Sequence, residues 1–172
     1  MYEIDELDKL HEIRDLPQSS VGAPIPMIAC DEHTLYLAYY VENVSEEWDG
    51  TSVKVVGSDT VGETVALVKF DRCYAHTFGP PNDEAYTGHP LADRGLEPYS
   101  VFEVINSSWI RKAEKRNSVH PYHSAKHFFE DKHHYIFFFH DSTYECIAKS
   151  FVIELHKGSV KGVLARTYLK IT

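Results

Sequence analysis

Apolar residues along the chain fall into short runs separated by polar breaks rich in proline and glycine, the pattern of many short strands. The strongest run is 134–155, HYIFFFHDSTYECIAKSFVIEL. Aromatic and β-branched side chains suit a pleated, half-buried surface, so the two apolar stretches around His-Asp-Ser-Thr predict an antiparallel hairpin. Residues 135–139 are apolar at every position, which predicts a central strand covered on both faces. The break holds no Asn-Gly or Asp-Gly pair, so its register stays open. A loop of Ser142-Thr143 sets His140 opposite Glu145 and Asp141 opposite Tyr144. A loop of Asp141-Ser142, or one of four residues, sets Phe139 opposite Tyr144 and Phe138 opposite Glu145. The first register puts an imidazole beside a carboxylate, either as a tuned acid–base pair or as a salt bridge closing the hairpin.

Elsewhere, Ile4, Leu7, Leu10 and Ile13 recur at near-helical spacing and predict a short amphipathic helix over 3–14. The segment 17–26, PQSSVGAPIP, reads as a surface-crossing loop, because proline and glycine fit neither a helix interior nor a central strand. Strands are predicted over 26–30, 34–41 and 64–70, the last continuing past a bend to Phe78-Gly79. Polar residues with Trp48 and Gly50 make 43–58 a loop or exposed hairpin. A strand resumes at 99–105. Ser107 or Ser108 can cap a helix with an apolar stripe of Trp109, Ile110 and Ala113, ending at Asn117. Arg111, Lys112, Lys115 and Arg116 crowd its other side, as a basic docking face or an ordinary solvated one. Ser124 can cap a second short helix through Asp131 that buries Phe128, with Phe129 a second candidate for burial. For 159–171 both periods fit; the expectation is a helix capped by Ser159. Between the strands, 79–98 (GPPNDEAYTGHPLADRGLEP) has no apolar period. Irregular loops of such length are uncommon inside a compact domain and tend to be functional; Tyr86 and Leu91 offer it anchors.

Together these elements predict one α+β domain over 1–172: an antiparallel sheet of about six strands with two or three short helices packed on it. The 43% hydrophobic and 13% aromatic content supports such a core. With 17 basic and 26 acidic side chains, the net charge is −9. That argues against nucleic acid and anionic membranes as partners, since both reward positive charge, and favours a protein or small-molecule partner, a cation or a metal. The 11 histidines make the chain histidine-rich, and the charge shrinks as they protonate below about pH 6.5. Three cysteines, Cys30, Cys73 and Cys146, are odd in number and form no Cys-x-x-Cys. They read as reduced thiols in a cytoplasmic protein, with burial the expected role of Cys30 and Cys146. The acidic N-terminus is not a signal peptide, and no run is long enough to span a bilayer.

Candidate chemistry gathers in two irregular segments, where scaffold-held functional groups tend to sit. One is the 79–98 loop, with Asn82, Asp83, Glu84, His89, Asp93 and Arg94; the other is His120-Pro-Tyr-His123 with His127. Arg72 and His76 can join them as ligand-binding groups. His123 and His127, spaced i, i+4, share a helix face. With His89 or His120 and a carboxylate they could hold a divalent metal such as zinc with an open position. A zinc helix would carry Glu after its first His, and Ser124 stands there instead; solvated surface histidines explain the same residues. Cys73 with His76, or Ser107 with a histidine, has the chemistry of a nucleophile and base, but neither sits in a Gly-x-Ser-x-Gly elbow or a cysteine-hydrolase pattern. No phosphate-binding glycine motif occurs.

The segments FGPPNDEAYTGHPLADRGLEPYSVFEV, Ser107-Ser108-Trp109, HPYHS and FHDSTYECIA resemble a group of small uncharacterised bacterial proteins, over roughly residues 65–155. The resemblance implies a bacterial, cytoplasmic source; the group has no assigned activity, so no catalytic residues carry over. The functional expectation is a non-enzymatic binding or interaction protein. The alternative is a metal-dependent, hydrolase-like enzyme using a site shared by the 79–98 loop and the 120–127 segment.

Overall fold

The computed structural model describes residues 2–42 and 55–169. Among them lie nine strands and three α-helices, arranged as two antiparallel sheets. The α+β class is as expected, but the strands number nine rather than about six, and they form two sheets rather than one. The first sheet contains β1 (Lys9–Glu12), β5 (Ala75–Gly79), β6 (Val101–Ile105), β7 (His133–Phe138) and β8 (Thr143–Ala148), in the order β1-β6-β7-β8-β5. The second contains β2 (Met27–Cys30), β3 (Thr34–Tyr40), β4 (Glu63–Asp71) and β9 (Ser150–Gly158), in the order β2-β3-β4-β9.

The two sheets face each other. Leu35, Leu37, Tyr39, Ala66, Val68 and Phe70 of the second meet Tyr135, Phe137, Phe139, Tyr144, Cys146 and Ala148 of the first in one core. Side chains alternate across a strand, so the residues between these point outward, and those faces are covered too. Tyr36, Ala38, Tyr40, Val65 and Leu67 pack under α3 (Val160–Tyr168). On the far side, Ile136 and Phe138 meet Leu91 and Leu96 of the long loop, while Ile147 packs against Ile110 and Ala113 of α1 (Ser108–Asn117) and Phe128 of α2 (Ala125–Glu130). Double coverage is the physical reason for the uninterrupted apolar runs. Ser107, Ser124 and Ser159 each accept a backbone N–H as helix caps, as their positions suggested.

The single-sheet expectation failed because the chain changes sheets at two corners that look continuous in sequence. One joins β4 to β5 and turns on Arg72, held at φ 49°; the other joins β8 to β9 at Lys149. Three further expectations are corrected. Residues 3–14 form no helix: Leu10 sits on β1 opposite Val104, Leu7 is half exposed, and Ile4 and Ile13 go to different cores, so the apparent stripe never faces one surface. The hairpin adopts neither proposed register. Phe138 faces Thr143, Phe137 faces Tyr144 and Ile136 faces Glu145, with the Phe139 N–H closing on Ser142 around a His140-Asp141 turn. Cys30 is exposed, because it ends an edge strand; Cys146 is buried as expected and Cys73 half-buried, all three as free thiols. The 43–58 reading, with Trp48 and Gly50, falls mostly outside the described residues.

Phe70 is fully enclosed between the sheets, its ring 5.4–6.4 Å from those of Tyr135, Phe137, Tyr144 and Phe151. Replacing Phe70 by Ala removes this shared packing and should lower unfolding free energy by about 3–5 kcal/mol, measured as a fall in denaturant midpoint.

Candidate functional site

The register that brings Ile136 opposite Glu145 sends Glu145 to the outer face of the first sheet, together with His134 one diagonal away on β7 and Thr77 directly opposite on β5. Glu145 is 4% exposed and His134 is fully buried. A carboxylate in such a place must be met by donors, because losing water without replacement costs several kcal/mol. Three elements supply them. His134 Nε2 donates to Oε2 at 2.9 Å. The Tyr2 hydroxyl donates to the same oxygen at 2.8 Å. His89, from the long loop, donates through Nε2 to Oε1 at 3.1 Å.

The hydrogen-bond network assigns the histidine tautomers. His89 Nδ1 accepts the Leu91 N–H at 3.1 Å, which leaves its proton on Nε2. His134 Nδ1 lies 2.9 Å from Ser107 Oγ; with the His134 proton turned toward Glu145, the hydroxyl donates to that nitrogen. Burial works against the Glu145 charge, but the hydrogen bonds from His134 and His89 outweigh it and bring the carboxyl down to about 2. Burial and the neighbouring Glu145 push the Tyr2 phenol far up, so it remains a donor.

Ser107, His134 and Glu145 thus form a chain of the residue types used in nucleophilic catalysis, and Ser107 was one of the sequence candidates. Its hydroxyl, however, also accepts the Ile110 N–H as the α1 cap and is 2% exposed. The chain ties a helix start to a buried carboxylate. Asp8 reinforces the same helix start: its buried carboxylate accepts the Ser108 N–H at 2.7 Å.

Glu145 also opens onto a pocket of about 200 Å³. Its other walls are Tyr2, Thr77, Trp109, Lys112 and Arg116. The Tyr2 and Trp109 rings stack at 5.5 Å and 5°, and each meets the His134 ring edge-on. Larger clefts of about 400 Å³, beside Glu103 and His133, and about 550 Å³, beside Arg72 and Asp131, have no comparably buried charge on their walls.

The remaining sequence candidates go to separate places. Asp83 accepts the Tyr99 hydroxyl and receives His140 Nδ1 at 2.8 Å, so the predicted hairpin histidine does find a carboxylate, but on the long loop rather than at Glu145. Asn82 caps the short helical turn Asp83–Gly88, where Glu84 is exposed, and Arg94 reaches the Asp5 carbonyl. Arg72 lies 3.9 Å from Asp131, and His76 sits on β5 with its ring over Tyr144. His123 pairs with Glu114 at 2.7 Å, His127 with Glu130 at 3.2 Å, and His120 accepts the Tyr122 N–H. His89 is instead buried against Glu145. No hydrogen bond or ion pair joins the 79–98 loop to the 120–127 segment, and no group of three or more His, Cys, Asp or Glu is placed to hold a metal among the described residues. No helix among the described residues is long and apolar enough to cross a membrane.

Sequence reasoning missed Glu145, His134, Tyr2 and Trp109 as one site. A usable signal was present: His134 and Glu145 are the ionisable residues inside two otherwise apolar strand runs, and such positions need partners. The fold is a pair of packed antiparallel sheets with a polar pocket on one outer face, lined in part by a buried carboxylate. Compared with family models, with curated proteins and with solved structures, the chain matches none.

Two pH effects follow. Glu145 has its carboxyl depressed from 4.5 to about 2, so it stabilises the fold above pH 4.5 and loses that contribution as pH falls toward 2. The loss should reach about 3 kcal/mol, seen as a drop in stability across that window that Glu145→Leu no longer shows. His140 is raised above its usual 6.5 by the Asp83 hydrogen bond. The contact is fully formed below pH 6.5 and lost as pH rises through the folded value. An NMR titration should place the His140 midpoint above 6.5, and Asp83→Asn should return it there.

Proposed function

We propose that this protein is a non-enzymatic binding protein that holds a small polar molecule in the pocket above Glu145. The observation that carries this reading is the wall itself: a buried, ionised carboxylate in the lining of an open pocket beside two stacked aromatic rings and two cationic side chains. Binding sites are concave, partly aromatic and furnished with a few fixed polar groups, and this pocket has each feature. At about 200 Å³ it is smaller than the roughly 300–1,000 Å³ typical of drug-sized ligands, which favours a molecule of few atoms. The metal-dependent alternative has less behind it, since His89, His123 and His127 each engage a different carboxylate.

A thermal-shift screen of small anions, cations and neutral polyols tests the reading. At least one class should raise the unfolding midpoint, as any ligand of the native state does, and should change Trp109 emission. Thr77 is exposed and lines the pocket; Thr77→Trp should fill it and abolish both signals, while changing ligand-free stability by no more than about 0.5 kcal/mol. A screen in which no class shifts the wild-type midpoint would remove the proposal.

A further inference from the structure

We propose that the ligand is a small α-hydroxy acid bound as its carboxylate, with its hydroxyl donating to Glu145 and its carboxylate held by Lys112 and Arg116. This rests on the pocket being a binding site, and it adds the chemistry of the occupant.

An ionised carboxylate accepts through about four lone-pair directions and donates nothing. Tyr2 and His134 occupy Oε2, and His89 occupies one direction of Oε1. One acceptor direction is left on Oε1, and Glu145 forms part of the pocket lining. A ligand group meeting Glu145 must therefore donate, and a bare carboxylate or ether there would be repelled.

The cationic part of the lining carries the opposite demand. Trp109, Lys112 and Arg116 lie three and four residues apart on α1, so they share one helix face. Both Lys112 and Arg116 are exposed, and neither makes a hydrogen bond or ion pair among the described residues. Arg111, on the same helix, is by contrast engaged with Asp5 and the Asn106 carbonyl. Two unpaired cations beside a pocket form a ready carboxylate site.

Charge balance selects among molecules that offer both a donor and a carboxylate. One negative side chain and two positive ones give the pocket a net charge of +1. A hydroxy acid, with charge −1, neutralises it. A neutral amino acid would leave that excess in place. The Tyr2–Trp109 stack accommodates the short carbon skeleton, and the Thr77 hydroxyl, opposite Glu145 on β5, can donate a further bond to the ligand's carboxylate.

Titration calorimetry of the full chain with glycolate and L-lactate, against propionate and L-alanine, separates the alternatives. Glycolate and lactate should bind at least tenfold more tightly than propionate, which lacks the donor, and than alanine. The Lys112→Ala/Arg116→Ala double variant, which alters exposed positions only, should lose at least tenfold in affinity, and added salt should weaken wild-type binding. Equal binding of propionate would overturn the role given to Glu145. Tighter binding of alanine would overturn the choice of hydroxyl over ammonium. If none of the four binds while another class in the thermal-shift screen does, the acid assignment fails and the pocket stands. If nothing binds in either assay, both proposals fall.

Discussion

A carboxylate placed inside a strand with no water around it has to be answered by the protein, and in this fold Glu145 is answered from three parts of the chain. Tyr2 comes from the N-terminal segment, His89 from the long loop and His134 from the neighbouring strand, with Ser107 at the start of α1 fixing the imidazole from behind. None of these segments is adjacent to another in sequence. Removing the charge would leave several buried donors without acceptors, and an unmet donor costs about 1–3 kcal/mol each. The covering layer on that face is therefore organised as much by a polar centre as by its apolar contacts.

The apolar contacts set the stage on which this happens. Phe70 and the rings around it fuse the two sheets, and the strict alternation of β7 and β8 then leaves His134 and Glu145 no choice but the opposite face. A shift of register by one residue would bring the carboxylate into the aromatic layer and turn Tyr144 and Cys146 out. The long loop completes the arrangement. Its helical turns have no amphipathic period, yet Leu91 and Leu96 are fully enclosed, and His89 between the turns is delivered to Glu145. Its beginning is fastened separately, by Asp83 to His140 and Tyr99.

Much of this was legible in advance where local chemistry decides it. The three capping serines, the helix over Ile110 and Ala113, the strands 27–30, 34–40 and 63–71, and the anchoring role of Leu91 follow from propensity, capping and short-range pattern. The false helix over 3–14 shows the limit: four apolar residues at the right spacing serve two different cores once β1 pairs with β6. The candidate site was read in pieces. In the sequence Ser107 and His89 suggest other chemistry, and Glu145 stands out only as a partner for His140.

The sequence by itself determined the class of protein, because composition, strand periodicity and capping residues act over a few neighbours and need no knowledge of distant contacts. Tertiary structure alone decided that there are two sheets, that the hairpin turns at His140-Asp141, and that one carboxylate meets donors from residues 2, 89 and 134. Those outcomes depend on register and on which faces become buried together, and burial is a property of the assembled chain: a glutamate is an ordinary polar residue in a strand until the layers on both sides exclude water from it.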